Sequence, residues 1–251
     1  MLTYLVFLSF VAIAVYAQAL TGFAMALILL GLIGATDIVS LPDAANAVTV
    51  LVLINAFIFL SRRKALRLER SLWRALAASL VGAIVGVALL VWLAGSSYQV
   101  LRLVLGISIV LCALMLWRAA KPLERESGQE VFVSAGLLAG ILGGMFSTPG
   151  PPLVYVVYRQ PWSLARIQES LIYFFGAGAL LRLIMIVSSG QFTMQSVWLT
   201  LIAAPVVFLV TWVAVHQKAP FSVSTMKAMV SALLIVSGVT MCVSATTVLL
   251  G

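Results

Sequence analysis

Ser147 and Thr148 are followed by Pro149, Gly150, Pro151 and Pro152 inside a run, Ser134 to Tyr158, that is otherwise apolar enough to enter a bilayer. Proline lacks an amide proton and its ring clashes with the preceding turn, so one straight helix cannot pass through all three. The chain must break there. Broken backbone inside a membrane survives only where protein or a water-filled cavity satisfies its polar groups, and transporters hold substrate at such breaks. Free amides at the turn, the N-terminal end of a helix beginning near Leu153 and the two hydroxyls would together suit an anion. Gly144, Ser147, Thr148, Pro149, Gly150, Pro151 and Tyr155 are therefore candidate substrate-binding residues, although the tyrosine equally suits an interfacial anchor. Gly136, Gly140, Gly143 and Gly144 lead into the break at a spacing that also serves plain helix packing.

Other polar residues in apolar surroundings add to this set. Arg182 lies inside the apolar run Ala177–Val187, where a charge costs a few kcal/mol. Two readings stand: contact with an anion or ion-pair partner, or snorkelling to the end at Ser188, about two turns away. Arg166 precedes it near the start of the same span and would add positive charge. Glu169 is the candidate for a coupling proton, though a carboxylate in a first turn, three residues from Arg166, also serves as an ordinary dipole and ion-pair feature. Asn46 and Asn55 occupy the matching helix of the first half, facing the site or bonding between helices.

These residues sit in a chain of 251 residues with 63% hydrophobic and 9% charged residues and a formal charge of +8. The mean hydropathy is +1.19, far outside the soluble range. The expected fold class is an all-α polytopic membrane protein. Apolar runs of roughly 20 residues, enough to cross the hydrocarbon core, recur about eight times: Thr3–Gly34, Ala44–Leu60, Leu72–Ala94, Val100–Trp117, Val131–Tyr158, Leu164–Val187, Ser196–Val215 and Val223–Leu250. The basic residues lie mainly in loops and helix ends, as a topology signal would, which argues against nucleic acid. Cys112 and Cys242 fall within predicted spans and read as packing residues. Ala17-Gln18-Ala19 imitates a signal-peptidase site, but no Lys or Arg precedes the run and it continues to Gly34, so it is expected to stay in the mature protein. His216 is the single histidine, and there is no HExxH, GxSxG, zinc cluster or intramembrane aspartate pair; an enzyme, a metal site or a cofactor has no support.

The two halves align with each other. Phe10, Val11, Ala17, Leu20 and Gly22 meet Phe132, Val133, Ala139, Leu142 and Gly144; Ser71, Trp73, Leu76, Ala78 and Val81 meet Ser196, Trp198, Leu201, Ala203 and Val206. A nearly constant offset argues for two repeats. The expected organisation is a first transmembrane repeat over 1–120, a cytoplasmic linker over 121–130 and a second repeat over 131–251. Equivalent loops carry opposite charge. Ser61–Arg74 holds Arg62, Arg63, Lys64, Arg67, Arg70 and Arg74 while Ser188–Gln195 holds none; Thr36–Asp43 holds only Asp37 and Asp43 while Tyr158–Arg166 holds Arg159 and Arg166; Gly95–Gln99 is uncharged while its counterpart holds Lys218. By the positive-inside bias the repeats are inverted relative to each other. Four full crossings cannot invert a repeat, so the first segment of each is expected to be a broken or hairpin segment that enters and leaves on one side; the alternative, eight straight spans, would put Arg159, Arg166 and Lys218 outside. In the first repeat the equivalent turn falls near Gln18, Thr21 and Gly22, which complete the candidate site.

The stretch Gly136-x3-Gly140-x2-Gly143-Gly144, then Pro149-Gly150-Pro151-Pro152-Leu153-Val154-Tyr155, then Arg166, resembles the TauE/SafE sulfite-exporter family, also called toluene-sulfonate uptake permeases. It looks like that family's glycine-rich run, GGPP-like turn, aromatic-bearing helix and following arginine, and Arg182 falls where the family often has a basic residue. The two-repeat layout extends the resemblance over the whole length. Pro149 replaces a usual glycine, and the first repeat's glycine run is reduced to Gly22 and Gly31. The resemblance implies movement of small sulfur anions such as sulfite, sulfonates or sulfoacetate across a bacterial inner membrane, in a direction it does not fix.

The reading that follows is a secondary transporter working by alternating access, with the anion near midplane between the two broken segments. Its partners would be the anion, a coupling proton or sodium ion and the lipid bilayer, with a homodimer left open and no nucleic acid. A passive anion channel shares the positive lining but lacks coupling; a membrane scaffold gives no reason for the prolines or Arg182.

Overall fold

The computed structural model describes residues 2–61, 70–118, 122–147, 150–216 and 223–250. Thr148, Pro149, Lys218 and the basic run Arg62, Arg63, Lys64 and Arg67 lie outside the described residues. Ten helices occupy the rest: α1 (Leu2–Thr21), α2 (Met25–Thr36), α3 (Leu41–Ser61), α4 (Arg70–Ser96), α5 (Tyr98–Arg118), α6 (Gln129–Phe146), α7 (Gly150–Tyr158), α8 (Leu164–Ser188), α9 (Met194–His216) and α10 (Val223–Leu250). Among the described residues seven of them, α3 to α6 and α8 to α10, are long and apolar enough to cross a membrane. The two longest-looking apolar problems of the sequence each resolve into two helices. Thr3–Gly34 becomes α1 and α2, and Val131–Tyr158 becomes α6 and α7.

Both breaks use one device. α6 ends with Ser147 in the left-handed conformation, φ 56°, and its N–H bonds back to the Gly143 carbonyl at 2.8 Å. α1 ends at Gly22, φ 87°, whose N–H bonds back to the Gln18 carbonyl at 2.6 Å. A left-handed residue just past a helix satisfies a terminal carbonyl while turning the chain out of line. Glycine does this freely; serine does so against a steric penalty.

The second break makes a hairpin. Residues just before α6 bond to residues just after α7: Leu123 N–H to the Arg159 carbonyl at 2.7 Å, Trp162 Nε1 to Glu126 at 2.6 Å, and Gln160 with Ser127. The rings of Phe132 and Trp162 stack at 6.1 Å. Arg74 at the start of α4 bonds Gln129 at the start of α6, so all of these lie on one side, called here the basic side. The first hairpin enters from the other side. Its tip touches the basic-side ends of α7 and α8, where the Tyr158 hydroxyl donates to the Thr21 carbonyl at 2.6 Å and Gly22 abuts Gln168. Its other end, after α2, meets the start of α5: Arg102 donates to the Gly34 carbonyl and Tyr98 accepts from the Leu41 N–H. α1 and α2 pack side by side, as do α6 and α7.

Packing repeats the same symmetry. α1 lies on α9 and α6 on α4; α2 on α10 and α7 on α5; α3 on α9 and α8 on α4. Exchanging α1–α5 for α6–α10 leaves this set of neighbours unchanged, so the molecule is two inverted repeats interleaved. One pair breaks the evenness. α4 and α6 approach far more closely than α9 and α1, because Gly136, Gly140 and Gly144 on one helix and Gly82 and Gly86 on the other set backbone against backbone. The glycine run before the proline break is thus a packing seam. Away from these seams Trp73 and Trp92 on α4, and Trp198 and Trp212 on α9, project outward near helix ends, as interfacial tryptophans do.

Candidate functional site

Arg182 anchors the site. It sits late in α8, 1% exposed, and so does not snorkel. Its Nε donates to the Gly144 carbonyl at 2.8 Å and one Nη to the Met145 carbonyl at 3.5 Å; the other Nη donates to the Ala45 carbonyl at 3.3 Å and to the Thr49 hydroxyl. Gly144 and Met145 close α6, so the guanidinium caps the negative end of that helix. Thr49 in turn donates its own proton to the Ala45 carbonyl at 2.9 Å, leaving its lone pairs to the arginine. No carboxylate pairs with Arg182 among the described residues. The site therefore carries one uncompensated buried positive charge.

Ser147 stands beside it. The residue is 5% exposed, and its hydroxyl has no hydrogen-bond partner among the described residues. That hydroxyl lines a narrow cavity between α4, α6 and α8, walled by Ser79, Gly140, Gly143, Phe174 and Gly178. The free volume is about 10 Å³, room for about one water molecule. Gly150 and Pro151 then open α7, and Pro151 is buried.

The first break forms a second polar cluster without charge. Gln18 Nε2 donates to Asn55 Oδ1 at 3.0 Å, and Asn55 Nδ2 donates to the Thr211 hydroxyl at 2.8 Å, linking α1, α3 and α9. Thr21 bonds the Ala17 carbonyl at 2.7 Å through its hydroxyl and receives Tyr158 at its own carbonyl. The phenol is buried and meets the Phe23 ring edge-on at 5.9 Å. Tyr158→Phe should lower stability by about 1 kcal/mol, one buried hydrogen bond, measured as a fall in melting temperature.

The remaining candidates lie apart from Arg182. Arg166 is exposed on the basic side over the Trp162 ring at 5.2 Å, 16 residues or about 24 Å down α8 at the rise of a helix. Glu169 is half-buried in the same part of α8. Tyr155 accepts from Arg159 at 3.0 Å near the end of α7. Asn46 is the exception: it lies at the start of α3 between Ala45 and Thr49, the residues that Arg182 bonds, donates to the Gln191 carbonyl at 2.8 Å, and has a buried Oδ1 without a partner among the described residues. Sequence reasoning missed Thr49, Thr211 and the Ala45 carbonyl. Threonine in an apolar helix bonds its own backbone and gives no outward signal, and a carbonyl has no sequence signal at all.

Two inverted five-helix repeats, each broken at its first segment, with a buried cation and a hydroxyl unpartnered among the described residues at one break, have the architecture of a transmembrane transporter. The chain belongs to the TauE/SafE sulfite exporter family. The profile described as "Sulfite exporter TauE/SafE" matches residues 6–241. A protein of Cupriavidus necator called "Probable sulfite/organosulfonate exporter TauE" is 31% identical over 214 residues, covering 84% of this chain and 82% of that one. No solved structure matches.

Proposed function

We propose that the chain is a secondary transporter that moves a small anion, a sulfur oxyanion or organosulfonate such as sulfite or sulfoacetate, across a bacterial inner membrane by alternating access. The Ser147 hydroxyl carries this reading. A serine in the left-handed region costs roughly 1–2 kcal/mol over glycine, and a buried hydroxyl without a partner costs roughly 1–3 kcal/mol more. The equivalent position of the first repeat is Gly22, which bears neither burden. A ligand that bonds the hydroxyl explains both.

In this proposal the anion lies under Ser147, with the Gly150 N–H at the start of α7 and Arg182 as its donors and Thr148, Pro149 and Pro151 as neighbours, the prolines offering no N–H. Gln18, Thr21 and Gly22 form the facing half of the path. Asn46 lines the exit on one side, Tyr155 and Arg166 line the mouth on the basic side, and Glu169 takes up a coupling proton. A cavity with room for about one water favours a carrier over an open pore.

Ser147→Gly separates function from stability. It should leave the melting temperature unchanged or higher, because glycine relaxes the left-handed cap, yet weaken binding about tenfold through one lost hydrogen bond. The measurement is thermal stabilisation of the purified protein by sulfite, sulfate, sulfoacetate and a non-sulfur carboxylate. Full stabilisation of the glycine variant by the anion that stabilises the wild type would remove Ser147 from the site; stabilisation by the carboxylate alone would replace the substrate class.

A further inference from the structure

Two arginines are deeply buried in described helices, and both tie down the end of a hairpin helix. Arg102 is 3% exposed, donates to the Gly34 carbonyl at 2.5 Å and to Ser244 at 3.1 Å, and has the Asp37 carboxylate at 3.5 Å. Its charge is compensated. Arg182 has only neutral acceptors, divided between the repeats: Gly144 and Met145 on α6 of the second, Ala45 and Thr49 on α3 of the first.

The division is also one of nitrogens. Nε donates to Gly144 at 2.8 Å and one Nη to Met145 at 3.5 Å, so α6 is held through two nitrogens, whereas the other Nη alone serves both Ala45, at 3.3 Å, and the Thr49 hydroxyl. A guanidinium holds an oxyanion through charge-assisted N–H donors far better than it holds a neutral carbonyl or hydroxyl. The cavity that Ser147 lines, one turn along α8 from Arg182 at Gly178 and Ala179, admits about one water, so an anion enters only if something moves. An anion that takes that single Nη displaces both α3 acceptors at once, while Gly144 on α6 keeps Nε.

We infer that Arg182 is a latch between the two repeats that substrate itself releases, with Thr49 as its positioning residue. The anion takes the Nη group that Thr49 and Ala45 hold, Gly144 keeps Nε, and α3 is freed from α6 and α8. Substrate binding is thereby the event that lets one repeat move against the other, and the empty protein stays closed. No new charge is needed: the buried cation exchanges neutral acceptors for a full anion. This rests on the anion-transport reading above.

The test uses the full chain in lipid nanodiscs with sulfite and sulfoacetate as probes. In the wild type, a saturating anion should speed amide hydrogen exchange in α3 around residues 45–53 and slow it at the end of α6. Thr49→Val keeps the shape but gives the arginine no oxygen, so the anion no longer competes with the hydroxyl; its Kd should fall roughly tenfold, the size of one charge-assisted bond, and α3 should already exchange faster without anion. An anion that binds while protecting α3, or a valine variant whose Kd is unchanged or higher, overturns the latch and leaves the transporter reading in place. Failure of the wild type to bind either anion overturns both.

Discussion

Gly140→Leu is expected to leave no folded transporter in detergent extracts, and Gly140→Ala to fold with stability lowered by about 3 kcal/mol, the upper end of overpacking costs. Any Cβ at Gly140 would overlap the Ser79 carbonyl oxygen and come within 2.6 Å of the Ser79 Cα. Ordinary carbon contacts lie near 3.5–4.0 Å, so α4 and α6 would have to separate by roughly 1 Å even for a methyl group. Neither neighbour is the tip of a side chain that can swing aside. The same separation would loosen Gly136 against Ala75 and Gly144 against Ala83, since all three glycines lie along one seam. Gly95→Ala is the control. A Cβ there meets nothing within 4 Å, so the helix gains about 1 kcal/mol of propensity and loses no contact. Thermal unfolding followed by size-exclusion chromatography reads both; a Gly140→Ala protein as stable as the Gly95→Ala protein would mean the seam is looser than its geometry.

The seam was visible in the sequence as a glycine spacing, but its partner was not. Gly82 and Gly86 gave no comparable run, and helix pairing depends on which faces meet after the chain has folded. The two breaks were unequally legible. Prolines 149, 151 and 152 announce the second, whereas the first has no proline and turns on Gly22 alone. Internal symmetry came within three residues of closing that gap: the sequence aligns Gly22 with Gly144, whereas the left-handed cap that matches it in the structure is Ser147, 125 residues on (147 − 22). Depth in the membrane was harder. Arg166 and Glu169 stand close to the proline cluster along the chain, yet α7 returns to the basic side before they occur, and the run of α8 then carries Arg182 16 residues beyond Arg166 (182 − 166). The arginine's apolar neighbours left burial and snorkelling both open, and the structure shows burial. Its partners were not legible, because three of the four are main-chain carbonyls.

Arg182→Gln should abolish transport and remove all stabilisation by sulfur anions, and it should also weaken the empty protein. Glutamine is shorter and carries two donors on one nitrogen, so it cannot reach from Gly144 to Thr49 as the guanidinium does. The carbonyls of Gly144 and Met145 and the charge that offsets the end of α6 would lose their partner, each orphaned acceptor costing about 1–3 kcal/mol. Arg182→Lys divides these effects. An ammonium keeps the charge but not the planar fork, so it should retain weak anion stabilisation while losing the tie between α3 and α6. The order of anion-dependent melting shifts is therefore expected to be wild type, then lysine, then glutamine with none; flux into proteoliposomes should follow the same order. A glutamine variant that is less stable but still binds sulfite would assign the arginine to capping alone. Recognition would then rest on the Ser147 hydroxyl and the start of α7, a site that holds an anion with neutral dipoles.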